Sequence, residues 1–143
     1  GKPHPEYNVV KDIPAAQKLA AEWPTPIVYS GFEIGIKTQL PQDGIKQDFN
    51  CVPEHPMAAA YRYYNNNYHD QPSWDLTSVL WAVRPDRGYF GLSETGTVVY
   101  DDEGYTQWTA GSDGNHRYLT IDEKQIERVK EILTALASTP PCK

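Results

Sequence analysis

The sequence has little of several features that would assign a chain to a functional class. It has two cysteines, Cys51 and Cys142, which cannot form a metal site by themselves. We expect free thiols, although a disulfide in an oxidising compartment stays open. A net charge of −6 without a long run of Lys or Arg argues against a nucleic-acid polymer or an anionic membrane surface as partner. No apolar stretch is long enough to span a membrane, and no signal-peptide pattern is present.

The length and the first residue limit what the domain organisation can be. With 143 residues the chain forms at most one ordinary domain. Because it begins with Gly1, we expect it to lie inside a larger reading frame or to be a processed product. Its ten Tyr and four Trp suit sugar or base recognition, but they equally suit ordinary interfaces. The four His residues are too scattered to predict a zinc site.

The first half of the sequence has the pattern of an α/β unit. Asp12 and Pro14 start a helix with Ala15, Leu19, Ala20 and Trp23 on its apolar side. The pattern then predicts a strand over 27–29 buried on both faces, a ligand-facing loop over 30–35, a surface loop over 41–53 and a helix over 54–64. Only the strand over 27–29 has the character of a parallel core strand. We therefore expect it to present an unpaired edge that favours self-association.

The second half predicts two helices and a region of short strands. Pro72 and Ser73 begin a helix, with the Ser73 hydroxyl as cap and an apolar face of Leu76, Val79, Leu80 and Val83. Strands over 89–92 and 97–100 form a small β-hairpin, and further strands follow over 105–109 and 116–119. A helix capped by Asp122 or Thr120 covers 122–137.

Asp75 is the best-placed polar residue of this pattern. It lies in the first turn of the predicted helix, where the helix dipole favours a carboxylate and fixes its direction. Such an acid suits a metal or a sugar if other groups converge on it. The alternative is that Asp75 serves only the helix dipole.

Four blocks, in order, resemble the C-terminal half of the inosine-uridine preferring nucleoside hydrolases. They are Pro5-Glu6-Tyr7-Asn8 with the helix after it, Pro26-Ile27-Val28-Tyr29, His55-Pro56-Met57 with its Ala-rich helix, and Ser73-Trp74-Asp75-Leu76 with Ala82-Val83. The resemblance implies an α/β fold: the C-terminal portion of a Rossmann-type sheet with helices on both faces. Residues 1–143 would be the C-terminal part of one domain that packs on an absent N-terminal half, with a homo-oligomer possible.

The resemblance also implies a chemistry. These enzymes hydrolyse the N-glycosidic bond of ribonucleosides with a calcium-bound water. Asp75 matches a calcium ligand, and Glu6 and Asn8 match residues that contact the ribose. Loop capping and turn formation are the alternative roles for Glu6 and Asn8.

Two departures from the family pattern bear on the reaction. Trp74 replaces the His that commonly protonates the leaving group; it could stack on a base, or pack as a core aromatic beside Trp81. The acidic N-terminal cluster, with most metal ligands and the catalytic base, is absent, so no catalytic residue is assigned in this chain. The alternative function is a non-catalytic sugar- or nucleoside-binding relative, or an inactive fragment.

Overall fold

A computed structural model describes residues 4–52, 54–64 and 69–139, with only the backbone of Asn50 and Cys51. The thiols of Cys51 and Cys142, predicted to be free, lie outside the described part. The chain folds as two compact units. The first comprises Gly1–Tyr29 and Leu92–Tyr118, and the second comprises Ser30–Gly91 and Leu119–Lys143.

The described part of the chain combines helices with a mixed sheet, which confirms the α/β class. The helices are α1 (Ile13–Glu22), α2 (Phe32–Lys37), α3 (Gln42–Gln47), α4 (Pro56–Tyr64), α5 (Trp74–Val83) and α6 (Glu123–Ser138). Short 3₁₀ helices cover Val9–Lys11, Asp48–Cys51 and Pro85–Arg87. The strands are β1 (Ile27–Tyr29), β2 (Gly91–Leu92), β3 (Gly96–Tyr100), β4 (Thr106–Ala110) and β5 (His116–Thr120).

The sheet combines one parallel pair with antiparallel pairs. Its order is β1-β5-β3-β4, with β2 also paired to β5. β1 and β5 are parallel, whereas β3 is antiparallel to both β4 and β5. Among the described strands β1 pairs only with β5, so the prediction of an edge strand is confirmed. The prediction that β1 is buried on both faces is wrong, because all three of its residues are half-buried.

The hairpin lies one strand later than the sequence predicts. β2 pairs with β5, and the hairpin joins β3 to β4. The turn between them explains this choice. The Asp101 carboxylate accepts hydrogen bonds from the backbone N–H groups of Glu103 and Tyr105, at 3.0 and 2.9 Å. Gly104 has a φ of +86°, a conformation that favours glycine.

α1 begins as predicted but buries a different face. The Asp12 side chain accepts a hydrogen bond from Ala15 N at 3.1 Å and caps the helix. Ala20 is buried, whereas Leu19 and Trp23 are about half exposed. The amide of Gln17 instead reaches β3 and donates to Tyr100 O at 3.0 Å. The predicted apolar side is therefore only partly correct, because a polar residue makes the contact with the sheet.

Both loops predicted in the second unit are wrong, since the chain forms helices there. α2 begins inside the predicted 30–35 loop and extends beyond it to Lys37, and α3 with the 3₁₀ helix after it replaces the predicted 41–53 loop. The reason is burial at helical spacing. Ile34 and Thr38 are fully buried four residues apart, and so are Ile45 and Phe49.

The long helices of the second unit form where the sequence predicts them. Asp122 and Gln125 form a reciprocal capping box at the start of α6, with bonds of 2.8 and 3.0 Å. Val129 and Leu133 of α6 are buried, whereas Leu136 is 44% exposed. In α4, Tyr63 and Tyr64 are exposed.

α5 has the predicted bounds but not the predicted buried face. Thr77 and Leu80 are buried, whereas Val79 and Val83 are 58% and 66% exposed. Thr77 is buried because its hydroxyl has partners: it donates to Trp74 O at 2.8 Å, and its oxygen lies 2.9 Å from Ser30 Oγ. The helix therefore points a polar residue inward and its valines outward.

Candidate functional site

The start of α5 is held by a buried polar network. Ser73 is the N-cap residue, but its hydroxyl makes no cap hydrogen bond, contrary to the sequence prediction. It donates instead to Thr38 O at 2.6 Å, and the Thr38 hydroxyl donates to Ile34 O at 2.8 Å. Ser73 N donates to Gly35 O at 3.1 Å. These bonds attach the first turn of α5 to the end of α2.

A close approach between two helices strengthens this attachment. A Cβ atom at Gly35 would lie 2.1 Å from Trp74 Cδ1 and 2.8 Å from Trp74 Cα. Only a residue without a side chain lets the backbones of α2 and α5 come this close. Gly35 therefore sets where α5 begins, and sequence reasoning missed this role. A buried glycine inside a helical pattern is the signal that could have indicated it.

Trp74 is fixed at one edge and open on part of its ring. Its indole Nε1–H donates to Phe32 O at 3.1 Å. The two rings lie 5.5 Å apart with a tilt of 33°. Because Trp74 is 37% exposed, the alternative of a core aromatic is wrong. The arrangement leaves an aromatic surface on which a planar group could stack.

Asp75 follows directly and is exposed in the first turn of α5. Within the described residues, its carboxylate makes no hydrogen bond and no ion pair. The helix dipole alone favours its charge. In the same part of the chain, no three His, Cys, Asp or Glu side chains converge as a metal site would require. Asp75 is thus a carboxylate free to bind a ligand, and a calcium site would need further oxygen ligands.

Glu6 and Asn8 belong to the first unit, whereas Trp74 and Asp75 belong to the second. Glu6 Oε2 accepts a hydrogen bond from Val9 N at 2.9 Å. This is the loop-capping contact that the sequence left open as an alternative. Asn8 is exposed, and its side chain makes no cap hydrogen bond to the 3₁₀ helix that follows. A ribose contact stays a prediction for both residues.

Two tyrosines of the first unit were missed by sequence reasoning. The Tyr29 hydroxyl is buried without a contact of hydrogen-bond geometry in the described part of the chain. Burial, and secondarily the nearby Tyr100 hydroxyl, raises the pKa of Tyr29 far above its usual range. Burial also raises the pKa of Tyr100, and the negative charge of Glu6 adds to this effect. Glu6 therefore lies near two half-buried tyrosines whose phenols stay neutral at physiological pH.

A groove of the second unit lies away from the predicted site residues of that unit. It has a volume of about 900 Å³ and runs between α3 and α6. Four carboxylates line it, those of Asp43, Asp48, Glu127 and Glu131. Neither Trp74 nor Asp75 lines this groove.

Comparison with known proteins does not assign this chain to a family. A scan against protein-family models finds no match to this chain, and a search of curated proteins finds no significant relative. The nucleoside hydrolase assignment therefore stays a prediction that depends on the residues above. Across the described residues, no helix is both long and apolar enough to cross a membrane.

Proposed function

We propose that this chain is the C-terminal part of a calcium-dependent nucleoside hydrolase that cleaves the N-glycosidic bond of ribonucleosides. One observation carries the proposal: Asp75 is an exposed carboxylate with no hydrogen-bond or ion-pair partner in the described part of the chain. It lies on a helix start that Gly35 and Ser73 hold in place. A rigid support with an uncommitted acid is what a ligand site needs.

The outer face of α5 supports a larger enzyme around this chain. Trp74, Val79 and Val83 are exposed on a helix of ten residues that has Asp75 as its only charge. Apolar side chains grouped on the exposed side of a helix are typical of a surface that another part of a protein covers. In the proposed enzyme the N-terminal half of the same domain covers this face.

The residues of this chain would supply only part of the ligand set of a calcium site. Calcium prefers six to eight oxygen ligands, and the Asp75 carboxylate supplies one hard oxygen donor. When bound, the ion would orient the ribose hydroxyls and activate water for attack on the anomeric carbon. Asp75 would hold the ion. The ribose contacts that the resemblance assigns to Glu6 and Asn8, through carboxylate and amide groups, stay a prediction.

Trp74 favours a second candidate, a relative that binds a riboside without hydrolysing it. An indole cannot protonate a leaving base, and its only N–H is already donated to Phe32 O. The partly open ring can still stack on a base. This candidate keeps the binding role of Asp75 but removes the leaving-group chemistry.

The experiment is a ribose-release assay on the complete protein encoded by the gene that contains this sequence. Several purine and pyrimidine ribonucleosides are tested with calcium and with a chelator. Calcium-dependent release supports hydrolysis. If the folded protein releases no ribose from any nucleoside, hydrolysis is excluded. Binding of a nucleoside without release, measured by calorimetry, would then support the second candidate.

A further inference from the structure

The sheet of the first unit ends in β4, and the outer edge of this strand is open. β4 is the last strand in the sheet order, and β3 is its only partner in the described part of the chain. Four of its five residues are exposed, and Trp108 is half-buried. Trp108 packs edge-on against Tyr118, with ring centroids 4.9 Å apart, which keeps the strand in place.

Two backbone bonds at the ends of the hairpin determine which groups of β4 point outward. Gly111 N donates to Thr95 O at 3.0 Å, and Asp101 N donates to Tyr105 O at 3.1 Å. Antiparallel pairs alternate between hydrogen-bonded and non-hydrogen-bonded pairs. Counting inward from both ends, the odd-numbered residues of β4 bond to β3.

A side-chain contact gives the same assignment independently. Val98 N donates to His116 Nδ1 at 2.9 Å, away from β4. Val98 is the partner of Trp108, so this pair is a non-hydrogen-bonded one. The N–H and C=O groups of Thr106, Trp108 and Ala110 therefore point to the open edge.

This edge lacks three features that commonly prevent strand addition. Proteins commonly protect edge strands with charged side chains, proline or a bulge. β4 has the sequence Thr-Gln-Trp-Thr-Ala, without charge or proline. Its register with β3 continues over all five residues, so it contains no bulge.

The surrounding charge selects against a second copy of this chain. The segment 101–115 contains four acidic residues, Asp101, Asp102, Glu103 and Asp113, and no basic residue. Antiparallel pairing of β4 with its own copy would bring the acidic turn of one chain toward Asp113 of the other. Like charges in register destabilise a strand pair. The same acids would attract basic residues on either side of a different strand.

We propose that β4 binds an extended segment of another protein by strand addition, a segment with an uncharged core and Lys or Arg on both sides. The backbone groups of Thr106, Trp108 and Ala110 provide the hydrogen bonds, and the flanking acids provide the charge selectivity. This inference does not depend on the nucleoside hydrolase proposal.

Amide hydrogen exchange by NMR, on the complete protein, tests the pattern of bonds. The probe is a peptide of alternating Thr and Val residues with two Lys at each end. Without peptide, the amides of Gln107 and Thr109 exchange slowly and those of Thr106, Trp108 and Ala110 exchange fast. With peptide, the second group becomes protected. Absence of any such change at saturating peptide overturns the proposal.

Matched peptides and a protein variant test whether the outward backbone groups and the flanking charges cause the binding. Ala110→Pro removes one outward N–H and no bond to β3, and should weaken peptide binding by at least about tenfold. Gln107→Ala, whose backbone bonds to β3, serves as the control and should leave affinity unchanged. A peptide that is N-methylated at the amides facing β4 should not bind to the wild-type protein. This probe tests the same backbone hydrogen bonds even if the Ala110→Pro variant fails to fold. A peptide with Glu in place of Lys should bind more weakly.

Self-association is the competing outcome. If the outward amides become protected as protein concentration rises without peptide, and sedimentation shows a dimer that Ala110→Pro disrupts, β4 pairs with a second copy. That result overturns the proposal of a basic partner segment. A monomer by sedimentation, with protection that requires the Lys peptide, supports it.

Discussion

Substitution of Gly35 by Ala tests how the start of α5 is positioned. The added Cβ would lie 2.1 Å from Trp74 Cδ1 and 2.8 Å from Trp74 Cα. The exposed ring can move, but the Cα belongs to the backbone of α5. Overpacking of this kind costs about 1–3 kcal/mol, and we expect the upper part of that range because backbone must shift. Alanine regains about 1 kcal/mol of helix propensity. The expected net loss is therefore about 2 kcal/mol of unfolding free energy.

Urea denaturation followed by circular dichroism measures this loss. Its thermal equivalent is a melting temperature lower by about 4–8 °C. Gly111→Ala is the matched control, since a Cβ there meets no atom within 4 Å. The control should be neutral or stabilising by up to about 1 kcal/mol. If Gly35→Ala is as stable as the wild type, the close approach of α2 and α5 does not exist as described.

Three further predictions concern stability. Thr38→Val removes the hydroxyl that donates to Ile34 O and lies 2.9 Å from Ser73 Oγ, and it should cost about 1–3 kcal/mol by urea denaturation; a variant as stable as the wild type would contradict the network. Asp122→Ala breaks the capping box of α6 and should cost about 0.5–2 kcal/mol, whereas an unchanged urea midpoint would refute the cap. Because the pKa of Tyr29 is raised in the folded state, the unfolded state loses the Tyr29 proton first. The contribution of this phenol to the unfolding free energy is therefore complete below about pH 10 and is lost above it. Tyr29→Phe should therefore flatten the alkaline decline in stability, measured by urea titrations between about pH 8 and 11.5, and an unchanged decline would refute the burial of this phenol.

The fold could be predicted wherever local signals were strong. Asp12 and Asp122 cap the helices that the sequence assigns to them, because their carboxylates reach backbone N–H groups within the same turn. The loops predicted over 30–35 and 41–53 failed because α2 and α3 are short. Their burial depends on single residues such as Ile34 and Ile45, and packing with distant elements decides that.

The position of the candidate site could be predicted from the sequence, but the contacts that hold it in place could not. Asp75 lies in the first turn of α5, as the sequence indicates, because Ser73 precedes an apolar helix. The bonds of Ser73 to Thr38 and the contact of Gly35 with Trp74 join residues more than 30 positions apart. Such contacts carry no local sequence signal. The bond from Val98 N to His116 Nδ1, which supports the assignment of the outward groups of β4, likewise joins residues of two different strands.

The most direct test of the central claim is a calcium titration of the complete protein and two variants by calorimetry. Glu123→Gln is the control, because Glu123 occupies the first turn of α6 and has the same relation to a helix dipole. We predict that Asp75→Asn weakens calcium binding by at least about tenfold, while Glu123→Gln leaves it unchanged. Equal calcium affinity in the wild type and in folded Asp75→Asn would contradict the assignment of Asp75 as a metal ligand.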